Sequence, residues 1–218
     1  MIASTITGHT RCSQSGFSVV ELVIAVAVIL ILAAMVVPGY QSINQFLRIN
    51  GDARSINEAV SQAKMMAGAG FTHARAYADL SGNTYHIEVW DRQNSCWHTD
   101  GDTRTCTAAD SPVQPLSLGI TFGVGSVGAA NPNPQTTIQE GPYPCGTRVA
   151  GSSPNTVANT MCIEFNSRGI PLDNNGAPWG AQALYVTDGQ SVYGVTASVA
   201  GLIQTWSSPA SSTAWKPR

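Results

Sequence analysis

Gly16-Phe17-Ser18-Val19-Val20-Glu21 stands at the head of an apolar run that extends from Leu22 to Val37. A single carboxylate therefore sits at the mouth of a hydrophobic segment of membrane length. Burying a charge there costs on the order of 2.5–3.5 kcal/mol, so a carboxylate kept at such a place points to function. Counted from Phe17, the segment has about 21 residues and spans roughly 30 Å as a helix, the thickness of a bilayer core.

Together these residues resemble the class III signal of type IV pilins and type II secretion pseudopilins. Four elements coincide: a short polar leader, a terminal glycine, an aromatic after it and a glutamate four residues on. The resemblance implies that residues 1–16 are a leader cut off by a prepilin peptidase after Gly16. Phe17 then becomes the first mature residue and is N-methylated, and Glu21 acts in assembly. The cut exposes an α-amine on Phe17 with a reference pKa of about 7.7–8.0. Ammonium and carboxylate are each costly in a low-dielectric site, and pairing offsets part of that cost. Glu21 of one subunit meeting the Phe17 amine of a neighbour would reward one axial register of assembly. Two other readings stand beside this one. One is an ordinary signal anchor with an incidental glutamate. The other is a conventional secretory peptide, but its best small-residue site, Ala25-Val26-Ala27, lies inside the apolar run rather than after it.

The chain has 218 residues, and removing 16 leaves 202, enough for an anchor and one globular domain with a core. Charged residues make up 11%, while Gly, Ser, Thr and Asn abound, which suits a sheet-rich extracytoplasmic head. Net charge is −2, and loss of Arg11 with the leader makes it −3. No basic excess supports general nucleic-acid binding. Of five cysteines, Cys12 lies in the leader. Cys96, Cys106, Cys145 and Cys162 remain, an even number that reads as two disulfides with three possible connectivities. Sequence proximity favours Cys96–Cys106 and Cys145–Cys162. No zinc spacing occurs, and no metal or cofactor is expected.

Past the apolar run, Pro38-Gly39 predicts a kink or local melting of the helix. Tyr40, Ile43, Phe46 and Leu47 then recur at helical spacing, as do Ile56, Ala59, Val60, Ala63 and Ala67. Asn50-Gly51-Asp52 is a second weak point, and Gly68 and Gly70 are positioned to end the helix. From Phe71 the period changes to two. Tyr85, Ile87 and Val89 alternate with polar neighbours, as do Met161, Ile163 and Phe165. Leu184–Thr187, Asp188-Gly189 and Val192–Thr196 read as a hairpin, with Leu202–Trp206 as a closing strand. Residues from about 91 to 160 read as a long decorated insertion bearing the cysteines, with one strand at Leu118–Val124.

The stretch from Met161 to Pro171, the following hairpin, Val195-Thr196 and Gly201 resemble the C-terminal part of H-type pseudopilins and FimT-like minor pilins. Ile56-Asn57-Glu58-Ala59 and Ala63 resemble that subfamily's helix. The fold so implied is α+β and pilin-like. A long N-terminal helix (17–70) packs against an antiparallel β head (71–218), with two sheets expected. The implied role is a filament subunit with a tip or initiation function, placed in the bacterial inner membrane with a periplasmic head. Its implied partners are the membrane, other pilins or pseudopilins, the prepilin peptidase and the inner-membrane assembly platform.

Other constellations are weaker. His73, His86 and His98 are scattered and read as surface or sheet-face residues. Asp173-Asn174-Asn175-Gly176 and Asp100-Gly101-Asp102 read as plain Asx turns rather than calcium loops. Gly123-Val124-Gly125-Ser126-Val127-Gly128 has dinucleotide-fingerprint spacing, but no helix pattern follows, so a loop is the better reading. FimT-like proteins that bind DNA during uptake are one rival reading. Lys216 and Arg218 are too few to neutralise much backbone charge, which counts against DNA as a partner. Trp206 and Trp215 read as buried or interface aromatics before they read as base-stacking platforms. A membrane-anchored periplasmic enzyme is the other rival, but no nucleophile motif supports it and no catalysis is expected.

Overall fold

The computed structural model describes residues 16–99, 113–125, 144–147, 155–180, 182–209, 211 and 214–218, with backbone alone at 36–39, 41, 147 and 155. Cys106, the Asp100–Asp102 run and Ser126–Gly128 lie outside the described residues. The chain divides into two units, Met1–Ile43 and Asn44–Arg218.

One helix, α1, runs over Val19–Ala69. Helical backbone is kept at Pro38-Gly39, so no melting occurs there. Proline removes only one intrahelical bond, and the helix carries on past it. Helix also continues through Gly51, the second expected weak point. Here packing overrides propensity. Ile49 and Ala53 are fully buried on either side, and Asp52 accepts bonds from Ser117 N and Oγ at 2.9 Å each. The helix ends at Ala69. Thr72 N donates to Ala67 O and Phe71 N to Gly68 O, at 3.1 and 3.3 Å. This is the paired pattern of a Schellman cap. Phe71, not a glycine, takes its left-handed position, with φ 47°.

After α1, the first strands in chain order are β1 (Ala74–Asp79), β2 (Thr84–Asp91), β3 (Cys96–Thr99), β4 (Gln114–Pro115), β5 (Thr121–Phe122), β6 (Gly146–Thr147) and β7 (Asn155–Thr156). Then come β8 (Thr160–Phe165), β9 (Pro171–Leu172), β10 (Gln182–Thr187), β11 (Ser191–Ala197), β12 (Ile203–Pro209) and β13 (Lys216–Pro217). A first sheet has the order β3-β2-β1-β8-β9, with β4 also pairing β2. A second has the order β13-β12-β11-β10-β5, and β6 pairs β7 apart from both. All the pairings are antiparallel.

The core joins three layers. Ile49, Ala53, Ile56, Val60, Ala63 and Ala67 form a buried stripe on α1. Alternate steps of four and three keep such a stripe on one helix face. Against it lie Ala74, Ala76, Ala78, Ile163 and Phe165 of the first sheet. Leu184, Val186, Tyr193 and Val195 of the second complete the cluster. Small residues on both α1 and β1 let helix and sheet approach closely. The far face of the second sheet carries its own cluster of Ala183, Tyr185, Val192, Trp206 and Trp215. Gly194 leaves room there: a Cβ on it would stand 2.7 Å from the Tyr185 ring.

The insertion is less of an appendage than its composition suggests. β3 and β4 extend the first sheet, and β5 extends the second. The strand expected at Leu118–Val124 is only Thr121–Phe122, because Leu118-Gly119 form a turn with Gly119 at φ 85°.

Candidate functional site

In the N-terminal unit, α1 starts directly after Phe17-Ser18, and Leu22 N donates to Ser18 O at 3.1 Å. Glu21 occupies the first turn. Ser18-x-x-Glu21 has the residue types and spacing of a capping box, a signal the sequence reading missed. A carboxylate in the first turn also complements the positive end of the helix dipole. Glu21 thus suits a helix start.

Every described side chain from Phe17 to Met35 is exposed. Phe17 is 83% exposed and Leu30 64%. An apolar surface of this extent marks a site for a lipid or protein partner. Among the described residues, no helix is long and apolar enough to cross a membrane, and the described side chains of the apolar run stop at Met35.

In the second unit, strand register assembles a polar face that no local pattern announces. On the side of the first sheet opposite its core residues, Trp97 pairs Trp90, Glu88 pairs Arg75, Arg75 pairs Glu164, and His86 pairs Tyr77, which pairs Cys162. Arg75 is only 3% exposed. Its Nε donates to Glu88 Oε2 at 2.5 Å and its Nη1 to Gly146 O at 2.7 Å. The guanidinium also lies 4.0 Å from the centre of the Trp97 ring, a cation–π contact. His86 Nε2 is 3.2 Å from the other Glu88 oxygen, and His73 Nδ1 is 2.9 Å from Glu164 Oε1. Burial pushes Glu88 up, but the His86 hydrogen bond and the Arg75 charge outweigh it, and its carboxyl is held below its ordinary range. Burial, then the Glu88 charge, raise the Tyr77 phenol.

Cys145 and Cys162 are joined, with Cα atoms 5.0 Å apart. Cys96 is also in a disulfide. Asp173 Oδ1 accepts from Asn175 N and Ala177 N, the geometry of a plain Asx turn. Trp206 and Trp215 are 4% and 8% exposed, so neither offers a ring face for base stacking. Lys216, on the edge strand β13, and Arg218, just past it, are exposed, and Arg218 Nε donates to Ser207 Oγ at 2.7 Å.

Arg168-Gly169 and Gly201, from the stretch that carries the subfamily resemblance, meet beside Lys64 of α1. They edge an open groove of about 590 Å³ also lined by Met65 and Leu202.

Residues 11–37 match the family described as the prokaryotic N-terminal methylation motif. No curated protein matches the chain. Among solved structures, it is similar to the minor pseudopilin EpsH from the type II secretion system of Vibrio cholerae. That similarity has 11% identity and a TM-score of 0.41, over 72% of this chain and 92% of that one. The matched motif spans Gly16, Phe17, Glu21 and the apolar run, so the chain carries a prokaryotic N-terminal methylation motif at the start of α1.

Proposed function

We propose that this protein is a minor pilin or H-type pseudopilin subunit, cut after Gly16, N-methylated on Phe17 and assembled through α1. The carrying observation is the methylation motif at residues 11–37, which runs into α1 and whose described side chains from Phe17 to Met35 are exposed. Such a surface needs two successive environments, the inner membrane before assembly and a bundle of related helices after it. The prepilin peptidase, the assembly platform and other pilins are its partners. A tip or initiation role rests on the subfamily resemblance of Met161–Pro171 and Gly201. The head serves contacts rather than catalysis.

Mass spectrometry of the mature protein tests the reading. The N-terminal peptide should begin with methyl-Phe17 in cells that hold the peptidase. Cells without it should keep the full-length precursor. A mature chain that starts at another residue, or that retains Met1 in both cells, sinks it.

A further inference from the structure

Asparagine is followed by glycine twice in the chain, at Asn50-Gly51 and at Asn175-Gly176. Such a pair is chemically weak, because asparagine is thermolabile and the glycine has no side chain to shield its own backbone nitrogen. The fold treats the two pairs differently. Asn50-Gly51 lies inside α1, between fully buried Ile49 and Ala53. Freeing its backbone means opening the helix against the core. Asn175-Gly176 lies in the turn that follows β9, before the bridge from Leu172 to Pro178. Asn175 is exposed, and its side-chain amide has no hydrogen-bond partner among the described residues. Gly176 N is held by a bond to Asp173 O at 3.0 Å, within the exposed turn. One bond of this kind is weak. The two Asn-Ser pairs are tied more firmly. Asn94 Nδ2 donates to Asp91 Oδ2 at 2.8 Å, and Asn166 Oδ1 accepts from Arg168 N and Ile170 N at 2.9 and 3.0 Å.

We propose that Asn175 is a self-modification site, where the backbone nitrogen of Gly176 displaces the side-chain amide. In the step, Gly176 N gives up its proton and attacks Asn175 Cγ. The new N–Cγ bond closes a cyclic succinimide. The Cγ–Nδ2 bond breaks, and the amide nitrogen takes up a proton and leaves as ammonia. Water then opens the ring at either carbonyl. One opening leaves aspartate at position 175. The other leaves isoaspartate, with the chain running through the former side chain. Either product adds a negative charge close to Asp173. Isoaspartate also lengthens the backbone within a turn closed by Asp173 N to Ala177 O at 2.8 Å. β9 is the edge strand of the first sheet, so the change falls on the margin of the head.

Peptide mass spectrometry of the full-length chain, aged in detergent in heavy-oxygen water, tests this. In the folded protein Asn175 should convert at least about tenfold faster than Asn50, because the exposed turn opens far more readily than the packed helix. Aspartate and isoaspartate should both appear at position 175, each carrying heavy oxygen from the ring opening. In urea the two Asn-Gly pairs should convert at similar rates, since the fold no longer separates them. Asn175→Gln should remove the signal and keep the thermal transition. Asn175 left intact in the folded protein overturns the site, whatever happens in urea. Equal conversion of Asn50 and Asn175 in the folded protein overturns the selection by structure. Aspartate without isoaspartate overturns the succinimide route.

Discussion

Lys64 Nζ donates to the carbonyl of Gly201 across 2.8 Å, while its stem lies along Gly169. One helix side chain thereby pins a turn of the first sheet to a turn of the second. Gly169 and Gly201 both have φ 72°, and a Cβ on Gly201 would stand 2.3 Å from Gly169 O. The two backbones touch where no side chain fits, and α1 closes the junction.

Gly201→Ala should therefore cost roughly 2–4 kcal/mol, from left-handed strain and from forcing the turns apart. Lys64→Met keeps the stem and loses the bond, so its cost should be about 1 kcal/mol. Urea unfolding of both variants checks the order. Equal losses would mean that the bond, not the backbone contact, holds the junction.

Phe71 closes α1 in a left-handed conformation and is 73% exposed, so little packing repays its strain. Left-handed backbone costs a non-glycine residue roughly 1–2 kcal/mol, while glycine loses extra entropy on folding. Phe71→Gly should stabilise the head by about 0.5–1 kcal/mol on this balance. A rise in melting temperature checks it. A fall would show that the ring makes a contact worth more than the strain.

Much of this architecture is legible in the chain. The stripe Ile56, Ala59, Val60, Ala63 and Ala67 is buried as its spacing predicts. The Asp188-Gly189 hairpin joins β10 to β11, with Thr187 paired to Val192. These features follow from local period and turn chemistry. The polar face does not. His73, Arg75, His86 and Glu88 lie close in sequence, but Glu164, Cys162 and Gly146 reach them only through strand register and a disulfide. The insertion's strands were equally hidden, because two-residue strands such as β4 and β5 are too short to show alternation. Helix continuity at Gly51 depends on Ser117, a partner far along the chain.

Acid should probe the polar face. Glu88 is held below its ordinary value of 4.5 in the fold. A group so depressed contributes stability above its unfolded value and loses it as pH falls through the folded one. Wild-type stability should therefore drop below about pH 4.5. Glu88→Gln leaves Arg75 buried without its carboxylate, a loss of roughly 3–5 kcal/mol at neutral pH. The gap between variant and wild type should narrow as pH falls toward about 3. Urea titrations across that range measure it. A gap that stays constant with pH would assign the loss to packing rather than to charge.

Glu21 is the residue on which the assembly reading turns. It lies in the first turn of α1, four residues from the amine that cleavage at Gly16 would create. Glu21→Val removes a charge from an apolar segment, so membrane insertion should be kept or improved. Cleavage should survive, because Gly16 and Phe17 are unchanged. Loss of a first-turn carboxylate costs the helix start about 0.3–1 kcal/mol, too little to unfold it. Entry into the filament should fail, because the neighbour's ammonium loses its partner in a low-dielectric bundle. Crosslinking of the variant to partner pilins, beside its membrane level and its N-terminal mass, separates these steps. If the variant is membrane-resident, cleaved and incorporated as well as wild type, Glu21 serves only as a helix-start residue. The axial register of assembly would then have to come from the head, where Arg168 and Leu202 flank the groove beside Lys64.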